Sequence, residues 1–459
     1  MFERFSGVQN GSFEPKLAYA HGERFDGLTD DTENTVATYL KVAIHQRLLD
    51  KINLSALEKM SREDIAIQIS PLVRKLLNEE RAALNSTEYA KLLEELLDEV
   101  LGLGPLEPLL KDPQISDILV NTCSQVFVER LGVLERTQVR FKDDSHLLRI
   151  IQKIVSAVGR RVDESQPWVD ARLADGSRVN ALLPPCAVDG PLLSIRKFAK
   201  IPFTIDRLIE NETITSSIAE IFEVLVGLRL NVLISGGTGT GKTTLLNALS
   251  SLISNNERIV TIEDTAELQL QQDHVGRMET RPPNLEGAGE VSQRDLVKNA
   301  LRMRPDRIIL GEVRGAEVID MLQAMNTGHD GSMTTIHANT ARDALTRLEH
   351  MTAMTGFDIP TKSLRGQMAS AIEIVVQLKR FSDGTRRVVS IQEITGLEGD
   401  VISMQEIVKF VQRGVSVDGR VIGEHVPTGI RPRFSERAKE LSFNLPEALF
   451  KPGAPEQTG

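Results

Sequence analysis

Cysteine is almost missing from this chain. Its 459 residues include two, Cys123 and Cys186, and no C-x-x-C pair, so a zinc ribbon is excluded and a disulfide scaffold has no basis. A reduced, cytoplasmic setting is the expectation. Aromatic residues make up 4%, too few for broad stacking platforms on single-stranded nucleic acid. An excess of basic charge is also lacking. The formal net charge is −10, which disfavours nucleic acid as a partner. No apolar run is long enough to cross a bilayer, for which about 18 uncharged residues are needed. The most apolar stretch, Ile221 to Ile234, is broken by Glu223, Arg229 and Asn231. The beginning, MFERFSGVQNGSFEP, has no apolar core and does not read as a signal peptide. Work at a membrane would need an anchor supplied by another protein.

What is present reads as a multidomain α/β protein. Residues 1–34 are aperiodic and polar and are expected to form a flexible tail. Residues 35–103 read as a helical region. Leu40, Ile44 and Leu48 share one face, and a capping-box-like Ser61 to Asp64 precedes Ile65, Ile69, Leu72, Val73 and Leu76. A further helix is expected from about Thr87 to Leu101, stopping at Gly102. From 104 to 200 the texture changes to short strands, a helix at Leu147 to Val158 and a hairpin turning at Asp175-Gly176, which predicts a small α+β N-terminal domain. A polar linker spans 201–215. Strands and helices then alternate through 216–425, the pattern of a mostly parallel sheet covered on both faces, with a two-strand ribbon turning at Asp383-Gly384. A C-terminal tail is expected over 426–459.

The strongest chemical signal is GGTGTGKT, Gly236 to Thr243, which fits G-x-x-x-x-G-K-[ST]. It follows the buried-strand run LNVLIS and opens the amphipathic TTLLNALSSLI. Such a loop bends so that backbone N–H groups face a phosphate, and the helix behind it adds its positive end. The expected nucleotide-binding set is Gly236, Gly237, Thr238, Gly239, Thr240, Gly241, Lys242, Thr243 and Thr244. Lys242 would bridge the β- and γ-phosphates, and the Thr243 hydroxyl would ligate Mg2+. No N-K-x-D guanine-reading motif follows, so ATP is the expected nucleotide.

Two acidic segments end apolar strands, where they can face the phosphates. TIEDTAE supplies Glu263, Asp264 and Glu267, and RIILGEVRGAE supplies Glu312, followed by Arg314 and Glu317. Where such strands usually carry a metal-binding Asp, this one has Gly311, which offers no ligand. Glu312, one residue on, reads as the general base. Magnesium then rests on Thr243 with water-mediated help from Glu263 or Asp264. The competing reading is a surface pairing of Glu312 with Arg314 or Arg307.

With these segments in order, and NTGHDGSMTTIHANT after them, the chain resembles the secretion and pilus-assembly ATPases of the type II/type IV secretion superfamily. Within it the similarity is greatest to the CpaF-type motors of the tight-adherence (Flp) pilus. GPLEPLLKDPQISDILVN, GRRVDESQPWVDARLADGSRVN, LSIRKF and EITGLEGDVISMQEI carry that similarity, which spans about residues 60 to 435. The resemblance implies a RecA-like P-loop motor domain behind the small N-terminal domain, a homo-hexameric ring, and work through inner-membrane platform proteins. It also implies that Arg178 and Arg196 reach the nucleotide from the N-terminal domain, as planar forks suited to a departing γ-phosphate. His329 and His337 match the family's histidine box. They read as a γ-phosphate sensor or, on the plainer view, as histidines satisfied by backbone. The four-cysteine zinc module of many extension motors cannot exist here. A RecA-like nucleic-acid translocase and a non-hydrolysing ATP-binding regulator are the competing functions.

Overall fold

The computed structural model describes residue 44 and residues 62–79, 84–198, 204–283, 288–357 and 359–451. The expected tail at 1–34 and, apart from Ile44, the first expected helix lie outside them. Helices Arg62–Glu79 and Ser86–Leu101 pack through Ile65, Ile69, Val73, Leu76, Leu92 and Leu96, and buried Ile44 joins the same cluster. The second helix starts with a reciprocal capping box, Asn85 with Glu88, and stops at Gly102.

The N-terminal domain is a six-stranded antiparallel sheet in the order β3-β2-β1-β6-β5-β4. Its strands are β1 Ile115–Thr122, β2 Gln125–Arg130, β3 Val133–Arg136, β4 Trp168–Arg172, β5 Arg178–Leu182 and β6 Leu192–Arg196. Alternation along the strands sends Ile118, Val120, Val126, Val128, Val179, Ala181, Leu193 and Ile195 to one face. Helix Asp144–Ala157 covers that face with Leu147, Ile150, Ile151 and Ile154. The opposite face carries charge, in a single row. Arg172 pairs with Arg178, Arg178 with Arg196, Arg196 with Asp117, and Asp117 with Glu129. Side chains paired across neighbouring strands point the same way, so three arginines and two carboxylates share one line.

The second sheet has nine strands in the order β15-β14-β13-β12-β7-β11-β10-β8-β9. They are β7 Val232–Gly236, β8 Ile259–Glu263, β9 Val275–Glu279, β10 Arg307–Leu310, β11 Met333–His337, β12 Ile374–Arg380, β13 Arg386–Glu398, β14 Val401–Val415 and β15 Val421–Pro427. From β12 to β9 the pairing is parallel, with the P-loop strand β7 between β11 and β12. This is the RecA-like arrangement. β7, β8 and β10 are buried throughout and read as near-continuous apolar runs, as strands covered on both faces must. Helices Ser216–Gly227 and Lys242–Ser250 cover one face, and Gln293–Ala300, Glu317–Asn326, Ala341–Ala353 and Thr361–Ala371 the other.

Three expectations need correction. The polar linker expected over 201–215 carries helix Ile205–Glu210, and Leu208 and Ile214 are buried in the core of the nine-stranded domain. The two-strand ribbon is four strands, β12 to β15, and β12 belongs to the main sheet. The segment expected as a tail from 426 is packed structure as far as residue 451. Phe434, Ala438 and Leu449 are buried in the core of the nine-stranded domain, and backbone N–H groups of Arg433 and Phe434 donate to Glu393. Phe434 and Ala438, four apart on helix Phe434–Glu440, form a short apolar stripe that a polar, proline-containing context hides.

Candidate active site

The carboxyl ends of β7, β8, β10 and β11 lie side by side, and each leads into one of the acidic, basic or glycine-rich segments. Gly236 pairs with His337, and Leu310 with Ile262. Beyond β7 the loop turns through Gly239 and Gly241, both at positive φ, into helix Lys242–Ser250. Lys242 is buried, and its Nζ donates to the Gly237 carbonyl at 2.9 Å. The same Nζ lies 3.4 Å from both ring nitrogens of His337. Burial pulls the Lys242 pKa down to about 8, against the attraction of Glu312. The positive charges of Arg314, Arg196 and Arg347 add to the lowering.

Glu312 follows β10. Its Oε2 accepts from Arg314 Nε at 3.0 Å and Nη2 at 2.7 Å. Its Oε1 lies 2.9 Å from His337 Nε2 without hydrogen-bond alignment, so it is buried yet unbonded. Arg314 also reaches Asp264 Oδ2 at 3.2 Å. Burial and the Lys242 charge lower the His337 pKa, which favours the neutral imidazole near neutral pH. Lys242, Glu312, Arg314, Asp264 and His337 therefore form one connected cluster. Arg307 has no part in it: it is 1% exposed and bound to Glu257 through Nε at 2.8 Å and Nη2 at 2.9 Å.

Gly311 has a structural reason. A Cβ at that position would sit 3.0 Å from Glu263 Cγ, so the missing side chain is the space that Glu263 fills. Glu263 Oε1 accepts from the backbone N–H groups of Glu267 at 2.8 Å and Leu268 at 2.9 Å. Its Oε2 is buried with no hydrogen-bond partner, and burial raises its pKa. Glu317 Oε1 is taken up by the N–H groups of Arg314 and Gly315 at 2.6 and 2.7 Å, which shapes the turn after β10. His329 lies apart from the cluster, its Nδ1 3.3 Å from the Ala324 carbonyl at the end of helix Glu317–Asn326.

Beside the loop is a cleft of about 130 Å³, lined by Arg178 and Arg196 on one side and Thr243, Thr244, Asn247 and Glu267 on the other. Arg178 Nη2 donates to the Thr265 carbonyl at 3.2 Å, and its Nε is 3.0 Å from Glu267. Arg196 pairs with Asp117 at 3.1 Å. Sequence reasoning missed Arg172, which bonds the Ala266 carbonyl at 2.6 Å and Glu279 at 3.1 Å. Its signal was present: Arg172 is the hairpin partner of Arg178 across the Asp175-Gly176 turn. Arg386 was missed as well, although its Nε donates to the Gly239 carbonyl of the phosphate loop at 2.8 Å.

Residues 99–412 match the family described as type II/IV secretion system protein. A putative conjugal transfer protein of Mycobacterium tuberculosis is 40% identical over 345 residues, which cover 74% of this chain and 97% of that one. The type IV secretion system protein VirB11 of Bartonella quintana is 30% identical over 317 residues, covering 61% of this chain and 88% of that protein. Among solved structures, the VirB11 ATPase of the Brucella suis type IV secretion system is 28% identical, covers 63% of this chain and 92% of that one, and superposes with a TM-score of 0.34. With more than half of its length matched, this chain belongs to the type II/IV secretion system protein family.

Proposed function

We propose that the chain is a cytoplasmic ATPase motor that hydrolyses ATP to drive a secretion or pilus-assembly machine. More narrowly, we place it with the tight-adherence (Flp) pilus motors, acting as a homo-hexamer through inner-membrane platform proteins. The narrower part is supported by the resemblance of the N-terminal segments and of EITGLEGDVISMQEI to those motors. Peripheral attachment fits the described residues, among which no helix is long and apolar enough to cross a membrane.

The observation that carries the reading is the meeting of Lys242, Glu312 and His337 at the carboxyl edge of the sheet. A buried ammonium with a lowered pKa gains most from a polyanion, which restores its full charge. Arg314 fixes one oxygen of Glu312 and leaves Oε1 unbonded, the arrangement a base needs to accept a proton from water. Neutral His337 beside it can take or give one hydrogen bond as that proton moves. Arg178 and Arg196 face the cleft from the N-terminal domain, where positive charge stabilises charge developing on a transferred phosphoryl group.

Magnesium fits the donors present. No cluster of three His, Cys, Asp or Glu side chains able to hold a metal occurs among the described residues, so Mg2+ would be held by the Thr243 hydroxyl together with phosphate oxygens. Glu263, whose Oε2 has no hydrogen-bond partner, or Asp264 would order its water shell. Bound there, the ion would screen phosphate charge.

Glu312→Gln tests the reading. ATP binding is expected to persist while hydrolysis drops on the order of 100-fold; turnover near the wild-type rate would remove Glu312 as the base. ATPase stimulation by DNA or RNA, with none from platform proteins, would favour the translocase instead.

A further inference from the structure

The negative end of the charge row on the N-terminal sheet meets the motor domain at a place the reaction scheme does not use. Glu129 on β2 faces two arginines that flank the β12–β13 turn. Its Oε2 lies 3.5 Å from Arg380 Nη1, and its Oε1 accepts from Arg386 Nη2 at 3.3 Å. The carboxylate is 14% exposed. Arg380 also donates to the Gly132 carbonyl in the β2–β3 turn.

The two turns touch backbone to backbone. Gly132 and Gly384 sit at φ +86° and +82°, and a Cβ on Gly132 would come 3.2 Å from the Gly384 carbonyl oxygen. Glycine at both positions therefore allows the positive φ and the close approach together. Arg386 carries the contact onward, since its Nε holds the Gly239 carbonyl of the phosphate loop. Two guanidiniums this close repel, and one shared carboxylate holds them together. Burial and the Arg380 charge both disfavour the charged form of Arg386, while Glu129 and Asp117 support it.

We propose that Glu129, Arg380 and Arg386 form an interdomain latch, in which docking of the N-terminal domain sets the position of the phosphate loop through Arg386. The latch rests on the nucleotide-site reading above and adds regulation to it: separation of the two turns releases Arg386, and the Gly239 carbonyl loses its donor. Arg386 is thus a positioning residue.

The test measures binding of a fluorescent ADP analogue, and the KM and kcat of ATP hydrolysis, in the full chain. Glu129→Gln and Arg386→Gln are each expected to weaken analogue binding about fivefold or more, with KM rising and kcat within about twofold. The double variant is expected to bind no more weakly than Arg386→Gln alone, because the two act as a unit. Wild-type affinity in Glu129→Gln, or fully additive losses in the double variant, would overturn the latch. If Glu129→Gln fails to fold, Arg380→Gln reads the same contact: an affinity loss of about threefold supports it, and unchanged affinity overturns it. A wild-type chain that binds the analogue without hydrolysing ATP would remove the motor reading and leave the latch measurable. A wild-type chain that binds no analogue would overturn both.

Discussion

The two surfaces that face each other around the cleft are built by different logic. On the motor side, every chemical group sits within a few residues of a strand end, so Gly236, Glu263, Glu312 and His337 are brought together by parallel pairing of neighbouring strands. On the N-terminal side, the groups come from five strands and from residues as far apart as Asp117 and Arg196, 79 positions along the chain. The first wall is a set of consecutive loops, and the second is a row across an antiparallel sheet. The motor wall thus depends on local turns, and the other wall on register: a slip of one residue would turn its charges into the apolar face.

That difference explains what could be read beforehand. The phosphate loop, the TIED segment and Gly311-Glu312 were legible because a strand, a glycine-rich turn and a helix are coded contiguously. The two histidines belong to one box in sequence, yet His337 ends a strand of the sheet, whereas His329 follows a helix and bonds its carbonyl. The alignment of Arg172, Arg178, Arg196, Asp117 and Glu129 was not legible, since β1 pairs with β6 across the whole domain. Arg386 was hidden for the same reason: in the sheet β12 lies between β13 and the phosphate-loop strand β7. β9 escaped notice because VGRME is a partly exposed edge strand without a clean alternation.

Gly311→Asp should have a large effect and break the motor wall locally. It adds the carboxylate that such strands usually carry, but directs it into Glu263. Overpacking of this kind costs about 1–3 kcal/mol. We expect a lower thermal midpoint and a loss of turnover on the order of 100-fold, because Glu263 and Glu312 are displaced together. A variant with wild-type melting and activity would show that Gly311 has no packing role.

A smaller effect is expected from pH. The folded-state pKa of His337 lies below its ordinary value of 6.5, so the ring stays neutral at pH 7 and gains its proton only as the pH falls beneath that value. Protonation places a second positive charge beside Lys242 and pairs the imidazolium with Glu312, which would take the proposed base out of use. Turnover should therefore decline on the acid side by several-fold, in the region below about pH 6.5. His337→Asn should flatten that limb of the profile, and an unchanged limb would assign it to another group. On the alkaline side, Lys242 with a pKa near 8 loses its charge as pH rises, so the KM for ATP should climb above that point in the wild-type chain.

The smallest expected effect is on the N-terminal wall. Arg172 binds a backbone carbonyl and a half-exposed carboxylate outside the cleft lining. Arg172→Ala should change kcat by no more than about threefold while lowering stability by up to about 1 kcal/mol. A larger fall in kcat would make Arg172 part of the site.

The central claim is that one site is shared between the two walls. It is tested most directly by the kcat of the full chain carrying Arg178→Ala and Arg196→Ala together, with Lys242, Glu312 and His337 untouched. We predict a fall on the order of tenfold or more while a fluorescent ADP analogue still binds. A kcat equal to that of the wild type would contradict the shared site and confine the chemistry to the motor domain.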